Sequence, residues 1–96
     1  MILTMEKDIE SKLVKLVKQH RGFCLKWVCP GWSGVPDRIV LLPDARIYFV
    51  ELKRPKGGHL SRLQEKWREK LQALGFKHYV IWNYEDLEDF ANLLTL

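Results

Sequence analysis

Residues 34–58 read GVPDRIVLLPDARIYFVELKRPKGG. Two strand-like runs, DRIVLL at 37–42 and IYFVELK at 47–53, flank the turn formers of PDAR, and this arrangement predicts an antiparallel hairpin. Pairing of positions whose numbers sum to 88 leaves a loop of 43–45 and makes Asp37 a cross-strand neighbour of Glu51. Alternate side chains along a strand share a face, so Glu51 and Lys53 point one way while Val50 and Leu52 point the other. Two adjacent carboxylates repel, and burying either without compensation is costly. Lys53 supplies one compensating charge, whereas a divalent cation supplies two and prefers oxygen ligands. The competing reading is a surface hairpin in which Asp37 starts a strand after a proline and Glu51 pairs in solvent with Lys53 or Arg38. Spacing alone leaves both open.

Outward from the hairpin the pattern is regular. Ile9, Leu13, Leu16 and Val17 recur at helical spacing within 5–21, and Gly22 follows as a stop. FCLKWVC at 23–29 fits a strand, and PGWSGVP at 30–36 breaks regular structure. RPKGGH at 54–59 predicts an exposed basic loop. Leu60, Leu63, Trp67, Leu71 and Leu74 mark a helix with Gly75 at its C-terminal cap. FKHYVIW at 76–82 is a further strand, and Asn83 caps a last helix with a core face of Leu87, Phe90, Ala91 and Leu94. The expected order is α-β-β-β-α-β-α within one domain spanning 1–96.

Composition bounds the function. With 96 residues, 47% apolar and 29% charged, the chain has the material for a single small core. Sixteen Lys and Arg against twelve Asp and Glu give a net charge of +4, which favours polyanionic partners without proving any. The longest apolar run is a few residues and no leader pattern is visible, so no membrane span or signal peptide is expected and a cytoplasmic location is the default. Cys24 and Cys29, the only cysteines, lack the four ligands of a structural zinc site and read as reduced, packed thiols.

Gly34-Val35-Pro36-Asp37, then Glu51-Leu52-Lys53, then Gln64 on the next helix resembles the VRR-NUC family of the PD-(D/E)XK nuclease superfamily, in its stand-alone, virus-type form, over nearly the whole chain. The resemblance implies an α/β fold with a restriction-endonuclease-like core, a mixed central sheet flanked by helices. It implies an endonuclease that hydrolyses phosphodiester bonds in branched DNA such as Holliday junctions. Asp37, Glu51 and the backbone carbonyl of Leu52 would bind Mg2+ or Mn2+, and no nucleotide cofactor is expected. Lys53 would orient or deprotonate the attacking water, or stabilise charge in the transition state. The first helix would add an acid, with Glu10 preferred by its spacing to Leu13 and to the glycine, and Glu6 the alternative. A bacterial or phage-encoded source and a homodimer with two dyad-related sites are also expected.

Gln64 has two readings, an amide reaching the active site or the last member of a capping box beginning at Ser61. Arg38, Arg54, Lys56 and His59 are the candidate phosphate contacts. Trp32, in the loop before Asp37, is placed to stack on an unpaired base or to enter a subunit interface. The alternative function is a non-catalytic nucleic-acid-binding or assembly module with a nuclease-like fold.

Overall fold

The structure is a computed structural model that describes residues 5–54 and 57–95. The element order is α1 (Met5–Gln19), β1 (Phe23–Lys26), β2 (Arg38–Leu42), β3 (Arg46–Leu52), α2 (Arg62–Ala73), β4 (Lys77–Ile81) and α3 (Tyr84–Leu94). This is the expected α-β-β-β-α-β-α order. The four strands form one sheet in the order β1-β2-β3-β4. β2 lies antiparallel between β1 and β3, and β4 runs parallel to β3. A parallel neighbour needs a crossover, which α2 provides. The sheet is therefore mixed and flanked by helices.

The hairpin has the expected register. Arg38 pairs with Val50, Ile39 with Phe49 and Leu42 with Arg46, all summing to 88 and leaving 43–45 as the loop. Asp44 and Ala45 take left-handed conformations in that turn.

Each face of the sheet has its own core. Val40, Leu42, Val50, Leu52 and Ile81 point to one side, where they meet Ile9, Leu13 and Val17 of α1 and Leu87, Phe90 and Leu94 of α3. The helical spacing of the apolar residues on α1 and α3 is thus accounted for by one shared layer. On the opposite face α2 packs chiefly against β4. There a chain of rings runs from Phe76 to Phe49 to Trp27 to Trp67 to Trp32, with centroids 5.2–5.8 Å apart.

Several boundaries differ from the sequence expectation. α1 stops at Gln19 because Arg21, not Gly22, takes the left-handed conformation, with φ 63. Gly22 is needed for a different reason: a Cβ there would lie 2.5 Å from the Leu41 carbonyl oxygen. β1 ends at Lys26, after which Trp27 N–H still donates to the Asp37 carbonyl. α2 begins at Arg62, and of its expected apolar row only Leu71 is buried. Leu63 and Leu74 are 51% and 73% exposed because α2 covers only part of its sheet face.

Candidate active site

Asp37 immediately precedes β2, and the loop that delivers it is anchored to α2. Trp67 Nε1 donates to the Ser33 carbonyl at 3.0 Å. Gly34, with φ 86, packs so closely that a Cβ would meet Leu63 Cβ at 2.7 Å. Glycine is therefore required at 34 for both backbone conformation and contact. From this loop the Asp37 carboxylate crosses to β3, where its Oδ2 accepts from Leu52 N–H at 2.8 Å. On a strand the N–H and C=O of one residue point to the same edge, so the Leu52 carbonyl also faces the β2 side. Lys53 N–H donates to the Ile81 carbonyl on the other edge, consistent with that alternation.

Glu51 is the most unusual side chain in the fold. It is 1% exposed, and neither carboxylate oxygen accepts a hydrogen bond among the described residues. Its pKa is pushed up to about 9, first by burial, then by the Asp37 carboxylate, with Lys53 acting in the opposite direction and Glu6 reinforcing the rise. An isolated buried carboxylate keeps its proton unless a cation arrives to balance it. The two oxygens of Glu51, the Asp37 carboxylate and the adjacent carbonyl edge form an all-oxygen donor set of the kind that suits a hard divalent cation. Among the described residues no group of three or more His, Cys, Asp or Glu side chains forms a ready metal cage. A carboxylate pair completed by backbone oxygen and solvent is the composition that fits.

Beyond Glu51, the half-buried Lys53 lines a polar cleft of about 150 Å³ with Glu6, Arg54, Gly57, Gly58 and His59. The cleft brings Arg54 and His59 beside Lys53. Lys56, the other loop cation of the sequence reading, lies outside the described residues.

Two candidate residues of the sequence analysis are engaged with each other. Glu10 does not face the cleft but holds Arg38 Nε at 3.0 Å, and Glu6, one turn earlier, is the α1 acid beside Lys53. Arg38 is not a free phosphate contact. It neighbours Asp37 in sequence, so strand alternation turns it to the α1 side. There its side chain is 12% exposed and also donates to the Cys24 carbonyl at 3.1 Å.

Gln64 sits in a complete capping box. Its Oε1 accepts from Ser61 N–H at 2.9 Å, and Ser61 Oγ accepts from Gln64 N–H at 3.2 Å. Its side-chain oxygen is thereby committed to the start of α2. Cys24 and Cys29 are free and half-buried, and burial pushes the Cys24 thiol up to about 11, which keeps it unreactive.

The sequence reading missed His78 on β4. It is 5% exposed with neither ring nitrogen hydrogen-bonded among the described residues, and its pKa is lowered to about 4, mainly by burial and then by Arg68. Its alternation with Tyr79 and Val80 gave no signal to separate it from an exposed strand residue.

Comparison with known proteins adds two relationships. "Putative nuclease p44" of Acyrthosiphon pisum secondary endosymbiont phage 1 is 39% identical over 94 residues, spanning 98% of this chain and 96% of the phage protein. A solved structure described as a VRR_NUC domain superposes with a TM-score of 0.87 at 23% identity, covering 94% of this chain and 97% of the other. No family model matches the sequence.

Proposed function

From a chain that belongs to the family of the phage protein "Putative nuclease p44" and carries the VRR-NUC fold, we propose a metal-dependent, structure-selective DNA endonuclease acting on branched DNA such as Holliday junctions. The observation that carries this reading is Glu51, buried and unsatisfied beside Asp37 at the end of the hairpin, with Lys53 on the same face.

Asp37, Glu51 and the Leu52 carbonyl are the residues that would hold Mg2+ or Mn2+. When bound, such an ion supplies an activated water and neutralises charge at the phosphorus centre. The chain's own residues do the rest. Asp37 is fixed by Leu52 N–H, so its carboxylate enters the site in one orientation. Lys53, ahead of the carboxylates in the cleft, orients the attacking water or offsets negative charge on the phosphoryl oxygens. In the hydrolysis the water oxygen bonds to phosphorus as its proton passes to solvent or to a basic group of the site, and the P–O bond to one ester oxygen breaks, that oxygen leaving as a hydroxyl with a proton taken from solvent. Arg54 and His59, with Lys56 as a further candidate, steer the backbone of the substrate. Glu6 replaces Glu10 as the helix acid of the site. The protein acts within the cell as a homodimer whose two sites make paired cuts in a substrate of matching symmetry.

The test compares a labelled four-way junction with a linear duplex of the same sequence in Mg2+ or Mn2+. The reading expects the junction to be cut in preference, and Lys53→Ala to slow cutting by about a hundredfold or more while binding persists. Equal cutting of both substrates would remove the structure selectivity. Salt-sensitive binding with no cutting would favour a non-catalytic binding module instead.

A further inference from the structure

Of the four tryptophans Trp32 alone is exposed, at 59%, and it stands in the loop between β1 and β2. A large ring on a free loop would swing, but this loop is held on both sides of it. Trp32 N–H donates to the Cys29 carbonyl at 3.1 Å, the Ser33 carbonyl accepts from Trp67 Nε1 at 3.0 Å, and Gly34 lies against Leu63 with no room for a Cβ. The Trp32 ring meets Trp67 edge to face, with centroids 5.7 Å apart and planes at 80°. Lys70 Nζ lies 5.2 Å from the Trp67 ring and 6.0 Å from that of Trp32. An exposed aromatic ring is thus fixed in place with an ammonium group beside it.

The charge of the neighbouring helix flank is one-sided. Leu63, Lys66, Trp67 and Lys70 follow one another at helical spacing, and both lysines are exposed. Glu65 and Glu69 lie two residues either side of Trp67, more than half a turn round the helix, so these acids fall on another side of α2. The same surface connects to the carboxylates. Trp67 meets Trp27 with centroids 5.8 Å apart, and Trp27 N–H donates to the Asp37 carbonyl at 3.1 Å. Trp32 is therefore two ring contacts from the residue bonded to Asp37, on the very loop that delivers Asp37 to the site.

We propose that Trp32, with Lys66 and Lys70, captures an unpaired base of the DNA strand that enters the active site: the base stacks on the indole, and the adjoining phosphates lie against the two lysines. This rests on the DNA-cutting reading for its substrate and adds the feature by which a branched substrate is told from plain duplex. In a paired duplex each base is stacked on its neighbours and must be pulled out before it can use the ring. A base already unpaired at a branch or bulge avoids most of that cost. An indole flanked by lysines without an acid suits a strand that brings a phosphate with every ring, and any base fits because each has a π-face. Because one loop carries both Trp32 and Asp37, a base held on the ring sets the register of the strand over the carboxylates.

The test is binding without cutting, in chelator, to two DNA duplexes that carry 2-aminopurine at the same sequence position, once in a single-nucleotide bulge and once paired. The wild type should bind the bulged probe more tightly, and its 2-aminopurine fluorescence should fall as the base stacks. Trp32→Ala should lose affinity for the bulged probe by about tenfold more than for the paired one and should abolish the fluorescence change. Trp32→Phe, which keeps a stacking ring, should retain most of the preference. Lys70→Ala should weaken both probes alike and lower the salt dependence of binding. Circular dichroism checks that each variant folds; should Trp32→Ala fail to fold, the wild-type comparison of the two probes and Trp32→Phe still decide. Equal wild-type affinity for the two probes would overturn the proposal. So would an equal loss on both in Trp32→Ala, which, with a fall in solution mass, would make Trp32 a protein-interface residue instead. Bulge-selective binding by a protein that cuts nothing would overturn the nuclease reading alone, and junction cutting indifferent to Trp32 would overturn this proposal alone.

Discussion

A carboxylic acid held up at about 9, as Glu51 is, keeps its proton at neutral pH until a cation replaces it. The consequence for stability has a definite sign. The folded pKa lies above the ordinary 4.5, so between the two values the native state holds a proton that the unfolded chain has released. This contribution is full below pH 4.5 and is lost as pH rises toward about 9. His78 shifts the other way, down from 6.5 to about 4, so its contribution is complete above pH 6.5 and the two are separable there. We expect metal-free protein to lose stability from pH 6.5 to 9, and Glu51→Gln to flatten that decline and to be more stable than wild type at its alkaline end. The difference should be a few kcal/mol at most, on the order of ~1.4 kcal/mol per unit titrated. Denaturant titrations across pH with chelator present measure it. Mg2+ or Mn2+ should raise the wild-type midpoint and leave that of Glu51→Gln unmoved. At the same scale the two α1 acids part company. Glu10→Gln should cost about 1–2 kcal/mol by loosening the partly buried pair with Arg38, with little effect on cutting once folded. Glu6→Gln should lower turnover with little change in stability, read from single-turnover rates and melts of both variants.

Elements show what the sequence made legible and what it withheld. The hairpin was readable apart from its exact ends, because alternation and a three-residue turn fit a register that keeps Val40 and Val50 in the core. Register in turn settled that Asp37 and Glu51 face the same way. The extent of α2's cover was not readable. Leu63 and Leu74 follow helical spacing as regularly as Leu71, yet only Leu71 reaches the sheet, since spacing gives a direction and not the width of what lies opposite. Arg38 neighbours Asp37 in sequence and Glu10 lies on the expected first helix, and only the packing of α1 over the far face shows that the two satisfy each other. Gln64 was legible in both of its readings, and the cap is the one with observed hydrogen bonds. Gln64→Ala should therefore destabilise the protein by about 1 kcal/mol, while Gln64→Glu, which keeps the capping acceptor, should retain stability. If Gln64 also works in the site, both substitutions will lower the cleavage rate, and a melt paired with a rate measurement separates the roles.

At the level of the whole molecule, the sheet is a partition. One face is closed by α1 and α3, while α2 packs against part of the other and the Asp37 and Glu51 carboxylates sit where the hairpin ends. Among the described residues no helix is long and apolar enough to cross a membrane. The family relationship and the fold point to a nuclease, and the site residues give that activity a physical form. The most direct test is cleavage of a labelled four-way junction by wild type and by Glu51→Ala, each shown to be folded, in Mn2+ or Mg2+ and again with chelator. Cutting by wild type only with the cation, and a loss of about a thousandfold or more in the variant, is the predicted result. Equal cutting by the two proteins, or cutting that survives the chelator, would contradict it.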